Sequence, residues 1–154
     1  MKGQVAVEYL VLFGAFLALF GAVIWPQAIR PSQETATKLS SLSRARMLAD
    51  SLAEAINSVY ARGPGSRQTF LFTLEESCRI SLERWITENG TLKVVRVESG
   101  GENFMTPVRY LSENLAGASQ YLPPGTFVAR VLWENMEENL WYENGTVFIN
   151  IRPG

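Results

Sequence analysis

Few residues in this chain are equipped for chemistry. There is no His among its 154 residues. That removes imidazole acid/base catalysis, a Ser-His-Asp arrangement and His-containing zinc sites. Cys78 is the only Cys, so no disulfide can close within the chain, and the thiol reads as a buried one. Asp50 is the only Asp beside fourteen Glu, so the Asp/Asn spacing of a calcium loop is missing. No two Glu announce a catalytic pair. No enzyme activity, catalytic residue, metal or cofactor is expected. Glu134, Glu137, Glu138 and Glu143 cluster in sequence and read as a solvated acidic loop rather than a cation site.

Two further patterns carry chemistry. Asn89 and Asn144 each open an Asn-Gly-Thr sequence, making them candidate N-glycosylation acceptors. Asn-Gly is equally what a tight hairpin requires. The other pattern is one carboxylate in an apolar run: residues 5–25 carry a single charge, Glu8. A helix of that length, rising about 1.5 Å per residue, would span a hydrocarbon core of roughly 30 Å. The run exceeds a secretory h-region, and the Trp25-Pro26-Gln27 exit is poor for signal peptidase. It is expected to stay in the mature chain as a transmembrane helix. A carboxylate there needs a partner or a place at headgroup depth. Leu10, Leu12, Phe13, Phe16, Leu17, Leu19 and Phe20 make the helix apolar all round, so it must be covered by lipid or by other helices. Gly14, Ala15, Ala18 and Gly21 would let such helices approach closely.

Met1-Lys2-Gly3 followed by Gln4-Val5-Ala6-Val7-Glu8-Tyr9-Leu10 resembles the class III signal peptide of archaeal type IV pilins and archaellins. The resemblance covers about ten residues and the apolar run behind them. It implies cleavage after Gly3 by a prepilin peptidase, with Gln4 as the new N-terminus. It also implies that Gln4, Glu8, Tyr9 and Leu10 act in assembly, Glu8 meeting the new ammonium of a neighbouring copy. A charge pair of that kind would fix register more than add stability. Members of this family are often glycosylated.

The remaining elements follow from periodicity. Pro26 and Pro31 predict a bend or melted stretch over 25–32, and Ser32 a helix cap. Leu39, Leu42, Ala45, Leu48, Ala49, Leu52, Ala53, Ile56, Val59 and Tyr60 keep three/four spacing and predict an amphipathic helix ending at Gly63-Pro64-Gly65. Strands are predicted over 68–74, 79–86, 92–98, 126–133, 140–143 and 146–151, with Asn-Gly hairpins at 89–90 and 144–145. Residues 102–124 give no clear signal. Trp85, Trp133, Trp141, Tyr121 and Tyr142 read mainly as core aromatics.

The expected fold is α+β: a long apolar anchor helix, a proline break and an amphipathic half, then an antiparallel β-rich head forming a sheet or sandwich. The expected divisions are a leader (1–3), an apolar helix (4–25), an amphipathic helix (26–62) and a head (63–154). The expected role is a subunit of a type IV pilus-like filament used in surface adhesion. The alternatives are an archaellin of a motility filament and a membrane-anchored surface-binding domain. Partners would be further copies in a helical homopolymer, prepilin peptidase and the assembly machinery, the membrane before assembly, and glycans. The expected location is the cytoplasmic membrane, then an extracellular filament. A net charge of −1 offers no basic field for nucleic acid.

Overall fold

Apolar side chains recurring every three or four residues give α2 (Trp25–Arg62) one buried face. Ala45, Leu48, Ala49, Leu52, Ala53, Ile56 and Val59 of that stripe are all buried. Leu39 and Tyr60, at its two ends, are exposed. The helix stops at Gly63, whose φ of 86° only a residue without Cβ adopts at no cost, and whose N–H donates to the Val59 carbonyl at 3.1 Å. The Ser66 hydroxyl donates to the same carbonyl at 2.9 Å.

These features come from a computed structural model, which describes residues 7–22, 35–88, 90–134 and 137–152. The chain divides into two units, Met1–Leu39 and Ser40–Gly154. The first holds α1 (Lys2–Leu19) and a π-helical turn over Phe20–Ile24. The second holds the end of α2 and eight strands: β1 (Arg67–Leu74), β2 (Cys78–Thr87), β3 (Gly90–Ser99), β4 (Glu102–Pro107), β5 (Ser119–Leu122), β6 (Gly125–Leu132), β7 (Asn139–Glu143) and β8 (Thr146–Asn150).

The strands form two four-stranded sheets, ordered β1-β6-β8-β7 and β4-β3-β2-β5. All neighbours are antiparallel except β6 and β8, which run parallel. Ile80, Leu82, Val95 and Val97 from one sheet share a single core with Ala129, Val131, Val147 and Ile149 from the other. Leu52 and Ile56 of α2 belong to the same core, fully buried. Burying each such side chain stabilises the fold by about 1.5–3 kcal/mol. Among the described residues no buried side-chain nitrogen or oxygen lacks a hydrogen-bond partner.

The expected long apolar anchor is corrected. The described helical stretches are 7–22 and 35–62. A π-turn over Phe20–Ile24 interrupts the α-helical register of the first. Among the described residues no helix is long and apolar enough to cross a membrane. The expected transmembrane helix falls with that finding, and so does the expected precursor stage in the cytoplasmic membrane. The bend at 25–32 and the Ser32 cap lie outside the described residues. The β-rich head fits the α+β expectation in part, as two sheets with one parallel pair.

The hairpins divide. Asn144 and Gly145 have φ of 46° and 77°, the turn that joins β7 to β8 with Glu143 opposite Thr146. The first hairpin closes with Thr87 opposite Gly90, so Gly90 begins β3 where the sequence placed it in the turn. β4 and β5 occupy the stretch that gave no clear signal.

Candidate functional site

The strongest candidate is the surface of α1. Along 7–20 the apolar run leaves Val7, Tyr9, Leu10, Val11, Leu12, Phe13, Phe16, Leu17, Leu19 and Phe20 all exposed. Leu10 is 74% exposed and Leu12 66%, on nearly opposite sides of the helix. A methyl group added at Gly14 or Gly21 would meet nothing within 4 Å. Their missing side chains therefore leave open strips along the helix. Glu8 is exposed among these residues. Of the predicted assembly residues, Glu8, Tyr9 and Leu10 lie on this surface. Gly3 and Gln4 lie outside the described residues.

Of the two candidate glycosylation positions, Asn144 is exposed at the β7–β8 turn. Asn89 lies outside the described residues. The acidic cluster does not act as a unit. The Glu138 carboxylate accepts hydrogen bonds from the Tyr110 hydroxyl at 3.1 Å, the Ser112 hydroxyl and the Arg152 N–H at 3.0 Å. Asn114 donates to it as well, at 3.3 Å. Its lone pairs are thus committed to tying Tyr110, Ser112 and Asn114 to Arg152, just past β8. Buried Asn150 accepts from the Glu134 N–H and donates to the Glu137 carbonyl, which anchors the neighbouring loop. Among the described residues no group of three or more His, Cys, Asp or Glu is placed to hold a metal ion.

Among the described residues two groups, Cys78 and Tyr110, have raised pKa values, and both shifts are structural. Burial pushes the Cys78 thiol up to about 12, leaving it un-ionised and a poor nucleophile at neutral pH. Burial first, and then the Glu138 hydrogen bond, push the Tyr110 phenol up to about 12. The aromatic residues split. Trp133 stacks on Tyr60 with centroids 6.4 Å apart, and Trp141 on Phe148 at 4.8 Å, both half-buried. Tyr121 and Trp85 remain exposed.

Sequence reasoning missed one feature. Arg44, Met47, Leu48 and Ser51 of α2, with Phe70, Leu71, Phe72 and Thr73 of β1, line a groove of about 260 Å³. Met47 falls outside the buried stripe of α2, and Leu71 points away from the core on an edge strand. Neither has a periodic signature, because each is apolar at a position where polar residues are usual. Comparison with family models, with characterised proteins and with solved structures found no match.

Proposed function

We propose that this chain is a structural subunit of a type IV pilus-like filament, a helical homopolymer whose copies join through α1. The observation that supports this reading is the exposure of apolar side chains on every face of that helix. Such a helix is stable in water only when covered, and identical helices from other copies offer matching apolar surfaces. The open strips at Gly14 and Gly21 favour close approach of those helices. The resemblance of residues 1–10 to the pilin processing site adds a trigger. Cleavage after Gly3 would create an ammonium at Gln4, and Glu8 of a neighbouring copy would meet it.

Electron microscopy of the purified protein, combined with N-terminal sequencing, tests the reading. Filaments whose chains begin at Gln4 are the expected result. A chain that keeps Met1 and forms no filament overturns it. The Glu8→Gln variant isolates the charge pair, because the amide keeps the size and loses the charge. Filament yield should fall; an unchanged yield removes the pairing.

A further inference from the structure

The sheet edges of the head are protected unequally. β1, β7, β4 and β5 are the outer strands, each with a neighbour on one side only among the described residues. β5 and β7 are four and five residues long, and β4 ends at Pro107. Short strands and proline discourage pairing with another chain. β1 runs for eight residues with neither Pro nor Lys. The direction of its open backbone groups follows from its neighbours. The Trp133 N–H donates to the Ser66 carbonyl at 3.0 Å, while the Val128 N–H turns the other way, to the Gly145 carbonyl beside β8. Even-numbered residues of β1 therefore bond to β6. Arg67, Thr69, Leu71 and Thr73 turn their N–H and C=O groups to the open edge.

This edge is complementary to itself. Thr69-Phe70-Leu71-Phe72-Thr73 reads the same in both directions. Antiparallel pairing about Leu71 sets Leu71 opposite Leu71, Phe70 opposite Phe72 and Thr69 opposite Thr73. The outward-bonding residues Thr69, Leu71 and Thr73 then meet one another as hydrogen-bonded pairs. A slip of two residues would set Leu71 opposite Thr and lose the match. Leu71, 68% exposed, falls on the two-fold axis, where the Leu71 of a second copy would cover it. Half-buried Phe70 and Phe72 lie on the other face of the strand, toward the groove of about 260 Å³ between α2 and β1. The same residues of a second copy would fall on that side and help to fill it. At the strand ends Arg67 comes opposite Glu75, so like charges do not face each other directly. Glu75 is already ion-paired with Arg44 at 3.0 Å, so the strand ends permit the register and the central apolar pairs favour it.

We infer that β1 is a dimerisation edge: two copies pair β1 to β1, antiparallel about Leu71, and join two four-stranded sheets into one of eight. The partner is a second copy because the sequence that matches this edge is the edge itself. Such a contact is isologous and closes at two copies, so it cannot propagate a polymer. It is independent of the filament reading and would link two subunits or two filaments. Paired Cα atoms in this register lie about 5.5 Å apart, within disulfide reach. Leu71→Cys, made in the full chain, kept in mild detergent to cover α1 and then oxidised, should give a covalent dimer on a denaturing gel. Thr69→Cys and Thr73→Cys should give little dimer separately and a clear dimer when mixed. Buried Cys78 stays out of the reaction, and the native chain serves as the blank. No dimer from Leu71→Cys overturns the pairing, and so does an equal yield from all three single variants, the mark of random collision. Filaments beginning at Gln4 without the Leu71→Cys dimer overturn the pairing and leave the filament reading intact. A dimer from chains that form no filament supports the pairing alone. Leu71→Lys sets two ammonium groups opposite each other and should raise the dimer dissociation constant about tenfold in sedimentation. An unchanged constant also overturns the pairing.

Discussion

The head and α1 are built from similar apolar residues and treat them in opposite ways. In the head, Leu52, Ile56, Ile80 and Leu82 are sealed by helix and sheets, and the polar groups around them are satisfied. In α1, Leu10, Phe13, Phe16 and Leu17 stand in the open. Hydrophobic free energy is realised only on burial. The head's apolar residues therefore define a fold, whereas those of α1 are informative only about what another molecule must supply.

The same substitution in the two regions gives the sharpest test. Leu52→Ala should destabilise the head by about 3 kcal/mol, through lost burial and a residual cavity. Leu10→Ala should leave the head's urea midpoint unchanged; a comparable shift there would erase the distinction. Glu138→Gln comes next, at about 2 kcal/mol, because its amide would turn a donor toward Ser112 or the Arg152 N–H. Gly145→Ala should cost about 1 kcal/mol from backbone strain alone, since its added methyl meets nothing within 4 Å. Thermal melts of both variants decide the order.

The smallest effect is a pH dependence. The Tyr110 phenol is raised in the fold from its ordinary 10.0 to about 12, so folding favours its neutral form. That contribution is complete below about pH 10 and is lost as pH rises through about 12. Urea midpoints across that window should decline in the native chain and decline less in Tyr110→Phe. Equal slopes would remove Tyr110 as the cause.

The parts of the fold legible in the sequence are those set by near neighbours along the chain. The buried stripe from Ala45 to Val59 follows from helical spacing. The Asn144-Gly145 turn follows from the positive φ its two residues tolerate. β4 was hidden because it is an edge strand whose residues are exposed or half-buried, so no alternation marks it. β5 was hidden by its four-residue length and by Pro123-Pro124 just after it. The parallel β6–β8 pair was not legible, because strand order depends on residues far apart in sequence. For the candidate site the same division holds. The apolar run of α1 is plain in the sequence. The span it implied was not met by the described helix. The groove needed Met47 and Leu71 to be brought side by side.

The strand order has a consequence for the time course of folding. Sheet β4-β3-β2-β5 is built mostly from successive strands joined by short connections, so its loops close at small entropic cost. β1 has to wait for β6, with Arg67 opposite Leu132 and the whole of the other sheet synthesised between them. Pairings of such long sequence separation form slowly. The wall of the groove at Phe70 and Phe72 is thus completed late. Pulse-labelled hydrogen exchange should find β2 and β3 protected before β1, so that a newly made chain holds one sheet well before the other is closed.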